Sequence, residues 1–344
     1  MKLLIITQKV DENDDNLGFF HDWIKEFAKH CEKLTVIALG AGEYHLPENV
    51  KVLSLGKENS EIRNQKSEII KKIKYLLKFY GYIWHYRRNY DNVFVHMNPE
   101  YVVLGGLLWK FWGKKTALWY THKAVNLKLI IAEKLTDIIF TASSKSFRLP
   151  SGKVKIMGHG INTERFVPGS KAADGNIILS VDRISKTKRQ LEIIKLFADI
   201  KKVIPDACLH IIGAPIRADD QSYWDELQAY VKNNNLAEGV KFFGAVANKN
   251  LPNFYQQTKV FINLSATGSL DKTVLEAMAC NVPAVTTNEA FKDIVPKKNY
   301  SVNLEEAKQR VVEFLQSGDA TDYRQIILSQ HSLKNLIAKI IANT

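Results

Sequence analysis

Between Val260 and Asn288 the chain reads VFINL, then SATGSLDKTVLEAMACN, then VPAVTTN: a β-branched run, a Gly-Ser turn, a helical pattern and a second apolar run. A continuous apolar run of this kind suits a parallel strand buried on both faces, while Asp271–Ala279 carries apolar residues at helical spacing. The loop between them, Thr267 to Leu270, therefore delivers backbone amides at a helix N-terminus. The helix dipole favours an anion there, so this geometry predicts a phosphate cradle.

The rest of the chain repeats the same alternation. Lys2–Thr7 reads as a strand, Phe19–Lys29 as a helix and Leu34–Leu39 as a strand; short apolar runs follow at Val93–His96, Thr116–Tyr120, Ile138–Thr141 and Val154–Met157, with helical patterns at Tyr101–Trp112 and Asn126–Leu135. Pro168–Asn176 (PGSKAADGN) has the composition of a linker, after which the pattern restarts with Ile177–Val181, a helix over Arg189–Val203, Leu209–Ile212, a helix over Ser222–Asn233 and Lys241–Phe243. Such alternation predicts α/β architecture with two doubly wound, Rossmann-like domains, 1–168 and 171–330. Ligands bind such sheets at the carboxyl ends of the strands, so a cleft between the halves is the expected site.

At 344 residues, 46% hydrophobic and 24% charged, the chain has the composition of an ordinary globular protein with room for two domains. Its apolar runs fall short of the roughly 20 residues needed to span a bilayer, and Leu3–Ile6 followed by acids is no signal peptide, so a cytoplasmic location is expected. Cys31, Cys208 and Cys280 lie far apart without CxxC spacing, which argues for buried thiols and against a disulfide framework or zinc site. The net charge of +12 is uneven, with 26 Lys+Arg against 17 Asp+Glu in residues 1–170 and 22 against 19 thereafter. Much of the excess lies between Arg63 and Arg88, where Arg63, Lys66, Lys71, Lys72, Lys74, Lys78, Arg87 and Arg88 face the single acid Glu68. Ile69, Ile73, Leu76, Leu77, Tyr80, Ile83 and Trp84 recur there at helical spacing, so the segment reads as an amphipathic basic helix. Its basic face is either simply solvated or offered to an anionic partner such as the inner face of a membrane. The absence of an aromatic-lined basic groove argues against nucleic acid, and no GxGxxG follows the first strand to suggest a dehydrogenase.

Several residues could carry chemistry. In SVDRISKTKRQ, Arg183 follows a buried strand and Lys188 precedes a helix, two cations at a strand's carboxyl end that suit a diphosphate and would otherwise be surface charges. Glu276, one turn into its helix, could accept hydrogen bonds from a ribose or could simply favour the helix dipole. His122, at the end of TALWYTH, reads either as a structural residue or as a ligand, and His96 in VFVHMNPE as an acceptor-side group or a packing residue. Gly18 follows an acidic loop and precedes a helix, where the lack of a Cβ would let a phosphate approach the backbone.

The run EAMA…PAVTTN resembles the donor-sugar loop of retaining glycosyltransferases of the GT-B fold, family 4 (glycosyl transferases group 1). The resemblance extends, in order, over Gly18, His122, GHGINTERF followed by Val167-Pro168, the Arg183…Lys188 pair, FFGAV and Glu276, nearly the whole span from Gly18 to Asn288. It implies two Rossmann-like domains facing each other across a cleft, with the helix 333–344 packing back on the first. The second domain would hold a nucleotide-diphosphate sugar as co-substrate and the first an acceptor, glycan or lipid-linked. It further implies that His122, Arg183 and Lys188 serve catalysis. Gly18, Gly244, Val246, Ser269, Leu270, Asp271, Lys272 and Glu276 would bind the donor, without a metal and with retention of anomeric configuration. The sequence departs from the family in two places: Gly268 stands where the family usually has a Glu, eight positions before Glu276, and Asp182 stands where Gly is common before the Arg. Two other readings are a non-catalytic nucleotide-sugar binder, which Gly268 favours, and a nucleotide-sugar epimerase.

Overall fold

The computed structural model describes residues 1–59, 65–170 and 175–344. The chain divides into two units, Met1–Gly160 with Leu333–Thr344, and Ile161–Ser332. The first is built on a parallel sheet of β1 (Lys2–Val10), β2 (Lys33–Ala41), β3 (Val50–Ser54), β4 (Asn92–His96), β5 (Lys115–Trp119), β6 (Ile138–Thr141) and β7 (Val154–Ile156), in spatial order β3-β2-β1-β4-β5-β6-β7. Helices α1 (Phe19–His30), α2 (Gln65–His85), α3 (Pro99–Phe111) and α4 (Leu127–Leu135) connect its strands. The second holds α5 (Gln190–Val203), α6 (Ala218–Asn233), α7 (Pro252–Tyr255), α8 (Lys272–Ala279), α9 (Leu304–Ser317) and α10 (Tyr323–Gln330) with a parallel sheet of β8 (Ile177–Val181), β9 (Cys208–Ile212), β10 (Val240–Phe242), β11 (Val260–Asn263) and β12 (Ala284–Thr286), in order β10-β9-β8-β11-β12. In each sheet the order reverses beside the first strand, which is the doubly wound arrangement expected from the alternation of elements.

The strands form where the sequence supplies apolar side chains to both faces. Leu3 to Ile6 of β1, Val93 to Val95 of β4 and Val260 to Ile262 of β11 are all fully buried, as helices on both sides of a parallel sheet require. Helix α1 buries Phe20, Trp23, Ile24 and Phe27, and α11 (Leu333–Ile341) buries Leu333, Leu336, Ile337 and Ile340 at the spacing of one helical face. α11 packs on α1 within the first unit. Gly160 is the close-approach point: a Cβ there would lie 2.8 Å from both Leu336 and Trp23, and the Trp23 indole N–H donates to the Gly160 carbonyl at 3.3 Å.

Helix α2 departs from the simplest amphipathic picture. Phe79 and Ile83 are buried against the sheet, whereas Ile69, Ile73, Leu77 and Trp84 point outward, more than half exposed. Two apolar faces therefore run along one helix, with exposed Lys72, Lys74, Lys78 and Arg88 beside the outer one. Arg63 lies outside the described residues. Among the described residues no helix is long and apolar enough to cross a membrane.

Candidate functional site

The chemistry-bearing residues of the second unit collect at the carboxyl ends of β8, β11 and β12, because a parallel sheet points all its strand ends the same way. Strand β8 runs into Asp182 and Arg183, a 3-10 turn carries Lys186–Lys188, β11 runs into Ser265–Asp271, and β12 leads to Asn288. The Ala266 amide donates to the Thr187 carbonyl at 3.0 Å and so ties the β8 loop to the β11 loop.

At the centre sits Lys188. Its ammonium lies 2.6 Å from Asp182 and 2.7 Å from Asp271, and all three side chains are about nine-tenths buried. Asn263 bridges the two carboxyl groups, its amide donating to Asp182 at 3.1 Å and to Asp271 at 3.3 Å, while its own carbonyl accepts from the Thr286 hydroxyl at 3.1 Å. The Asn288 amide adds a bond to Asp271 at 3.2 Å and one to the Ser269 carbonyl at 2.8 Å. The loop from Ser265 to Asp271 is thus pinned through Asp271 by three polar side chains, Lys188, Asn263 and Asn288. Burial raises the pKa of Lys188's partner Asp182; Lys188 pulls it down and Asp271 pushes it up again, with a net upward shift. The ammonium and the two carboxyl groups hold one another in place.

Gly268 has φ +65°, in the left-handed region that costs a side-chain-bearing residue about 1 kcal/mol or more. The missing carboxylate of the resemblance thus has a local explanation: the loop takes a path that favours glycine. The helix that follows begins at Lys272, and its first-turn amides have no partners within the helix.

Glu276 is 2% exposed, and the Asn248 amide donates to one of its oxygens at 3.0 Å while the Tyr255 hydroxyl donates to the other at 3.1 Å. Burial raises its pKa against the opposing pull of Lys272, and burial lowers that of Lys272. Asn248 ends the loop that starts at Gly244, itself in the left-handed region at φ +68°, and this loop carries Val246. Gly244 and Val246 therefore lie on the loop that leads to Asn248, which holds Glu276.

Arg183 is exposed, and its backbone carbonyl is held by the Gln190 side chain at 2.9 Å. Arg324 was not singled out by any sequence pattern, yet its guanidinium donates to the carbonyls of Thr163, Phe166 and Ala279, fastening the GHGINTERF segment to the end of α8. Asn248, Tyr255, Asn263 and Asn288 were equally unmarked, since polar residues inside apolar runs carry no periodic signal.

His122 and Gly18 belong to the first unit. His122 is exposed, and its Nδ1 accepts from the Ala124 amide at 3.0 Å, which leaves Nε2 as the donor. Gly18 starts α1, where a Cβ would lie 2.3 Å from the Asp14 carbonyl, so glycine is required by the chain's own backbone. His96 is buried and stacked on Phe20 with ring centroids 3.9 Å apart, a packing position. The one grouping of metal-type ligands among the described residues, Glu12, Glu43 and His45, lies in this unit and is partly to fully exposed.

Residues 162–309 match the family model described as glycosyl transferases group 1. Over 155 residues, 42% of the chain and 34% of the relative, the sequence is 26% identical to mannosylfructose-phosphate synthase of Agrobacterium fabrum. Over 153 residues, 40% of the chain and 38% of the relative, it is 26% identical to a GDP-mannose-dependent phosphatidylinositol monomannoside mannosyltransferase of Mycolicibacterium smegmatis. The matched stretch thus spans little more than a third of these relatives' length. The whole fold is similar to that of HepE of Anabaena, solved in complex with UDP, with a TM-score of 0.74 at 14% identity, covering 100% of this chain and 99% of that one. The fold is GT-B.

Removing Lys188 strands two buried carboxyl groups. Lys188→Ala should therefore cost about 3 kcal/mol or more in urea denaturation, and Lys188→Met combined with Asp182→Asn and Asp271→Asn should recover most of it. The raised Asp182 pKa means that the native state holds a proton which the unfolded chain releases. Stability should accordingly fall as pH rises from the ordinary carboxylate range, about 4, toward neutrality, and Asp182→Asn should flatten that slope; urea midpoints between about pH 5 and 7.5 read it directly.

Proposed function

We propose that the chain is a retaining glycosyltransferase that moves a hexosyl group from a nucleotide-diphosphate sugar to a glycan or lipid-linked acceptor. The observation that carries this reading is the family match at 162–309, the stretch that holds the β11–α8 loop, Arg183 and the Glu276 group. The second unit holds the donor. Arg183 meets the diphosphate, the first-turn amides around Ser269, Leu270, Asp271 and Lys272 meet it at the dipole end of α8, and Glu276 accepts from the ribose hydroxyls. Asn248 and Tyr255 fix the Glu276 carboxylate before the ribose arrives. Gly244 and Val246 border the base.

The first unit holds the acceptor. His122, with Nδ1 occupied, donates from Nε2 to the transferred sugar. The step breaks the bond between the anomeric carbon and the diphosphate oxygen and forms one to the acceptor oxygen on the same face. The departing phosphate takes the acceptor's proton, so neither an enzymic nucleophile nor a metal is required. Cationic side chains and the helix dipole stabilise the charge that develops on the leaving group. Asp182 and Asp271 around Lys188 favour a second reading, a nucleotide-sugar binder without turnover.

The two readings separate in one experiment. Nucleotide sugars that raise the melting temperature of the protein identify the donor, and a product assay with that donor then follows transfer. Arg183→Ala should reduce turnover about a hundredfold while leaving the melting temperature of the free protein unchanged. Equal turnover in the variant sinks the assignment, and binding with no transfer favours the binder.

The outward faces of α2 and α3 give the partner surface. Ile69, Ile73, Leu77 and Trp84 of α2 and Leu107 and Phe111 of α3 are exposed, Phe111 by 85%, and Trp84 meets Trp112 edge-on at 5.7 Å. With Lys72, Lys74 and Lys78 alongside, this face fits an anionic bilayer at the cytoplasmic side. In flotation assays the protein should rise with phosphatidylglycerol vesicles and not with phosphatidylcholine. Leu77→Glu with Phe111→Glu should abolish that binding, and equal binding by the double variant removes this face from consideration.

A further inference from the structure

Each oxygen of the Glu276 carboxylate already accepts one hydrogen bond, from Asn248 on one side and from the Tyr255 hydroxyl on the other. A carboxylate oxygen has room for a second donor, and the direction of that remaining place follows from the bond already made. What fixes Tyr255 therefore fixes how Glu276 faces a ligand. The Tyr255 ring is fully buried between two other rings, Phe261 at 5.8 Å between centroids and Phe166, edge-on, at 5.9 Å. Phe261 is part of β11 and is held by the sheet. Phe166 belongs to neither a helix nor a strand, so its place has to come from side chains.

Arg324 of α10 supplies it. The guanidinium donates to the Phe166 carbonyl at 2.6 Å and to the Thr163 carbonyl at 2.7 Å, and the Gln256 side chain, next to Tyr255, donates to the Val167 carbonyl at 3.1 Å. The same guanidinium reaches the end of α8. There the carbonyls of Glu276, Ala277 and Met278 accept from the amides of Cys280, Val282 and Asn281, and the next carbonyl, that of Ala279, accepts from Arg324 at 2.6 Å. A cation at this end of the helix also answers its dipole. One planar group thus holds both the helix that carries Glu276 and the segment that backs Tyr255. Arg165, between the two carbonyls held on that segment, acts on the same carboxylate: burial pushes the Glu276 pKa up, while Lys272, the two hydrogen-bond donors and Arg165 pull against it.

We propose that Arg324, with Phe166, is a positioning residue for the Glu276 carboxylate, acting through Tyr255 and the end of α8 to set the angle at which that carboxylate meets the ribose hydroxyls of a nucleotide. The proposal rests on the transferase reading for the ribose and deepens it by assigning two residues outside the ligand's reach to its recognition. A tilt of the carboxylate weakens bonds to the ribose hydroxyls and leaves contacts to the diphosphate as they were, because those come from other loops.

The test is calorimetric titration of the full chain with UDP, GDP and their 2′-deoxy forms, on the wild type and on Arg324→Met, Arg324→Lys and Phe166→Leu. The wild type should bind the ribose form of its preferred nucleotide about tenfold more tightly than the deoxy form. Arg324→Met should bring that ratio close to one, Phe166→Leu should lower it, and Arg324→Lys should recover part of it, since an ammonium can still donate to some of the three carbonyls. A purely structural role lowers the melting temperature and leaves the ratio of the folded protein untouched. Wild-type ratios in Arg324→Met and Phe166→Leu overturn the proposal; should Arg324→Met not fold, a wild-type ratio in Phe166→Leu does so alone. A wild type that binds none of the four probes, or binds ribose and deoxy forms equally, overturns it as well. A ratio lost in the variants, with no transfer from any nucleotide sugar by the wild type, upholds the positioning role and defeats the transferase reading. Transfer by the wild type with an unchanged ratio in the variants does the opposite.

Discussion

The second unit is organised around one buried ammonium. Lys188 can remain charged away from water only because Asp182 and Asp271 lie within 2.7 Å of it, and those carboxyl groups can remain buried only because Asn263 and Asn288 donate to them. Asp182 comes from the end of β8, Asp271 from the loop into α8, Asn263 is the last residue of β11, and Asn288 lies beyond β12. Three neighbouring strand ends are therefore fixed relative to one another by a single polar cluster. The loop that presents the α8 amides inherits its shape from this cluster.

A buried charge held so fully clamps the loops that meet at it. Gly268 fits the same picture. Its left-handed backbone lets the loop turn so that Asp271 reaches Lys188, and a Glu at that position would strain the backbone that makes the contact. The two departures from the family pattern, a carboxylate lost at 268 and one placed at 182, fall on the two loops that Lys188 joins.

Much of the fold was legible because it rests on periodicity. Leu3–Ile6, Val93–Val95 and Val260–Ile262 are unbroken apolar runs, and parallel strands buried on both faces produce no other pattern. Strand β3 escaped this reading because VKVLS is an edge strand with a lysine in it and none of its residues is fully buried. Helix α2 was legible as a helix but not as to which face packs: Ile69, Ile73 and Leu77 share their spacing with Leu76 and Ile83, and only the neighbouring sheet selects among them. Gly18 was marked as special for the space it leaves a ligand, yet the atom that would collide with a Cβ is the chain's own Asp14 carbonyl.

The sequence by itself determined the alternation of strands and helices, the loop that opens α8 and the positions of Arg183, Lys188 and Glu276 along the chain, because each is written in local pattern or in ordered motifs. The tertiary structure alone decided what those groups touch. That Lys188 is enclosed by two acids, that Glu276 is oriented by Asn248 and Tyr255, and that Arg324 joins residues 163 and 166 to residue 279 all depend on residues 6 to 161 positions apart in the chain. The physical reason is that charge and hydrogen-bond partners are chosen by distance in space, and no local spacing in a sequence encodes which distant polar group a parallel sheet will bring to the same strand end.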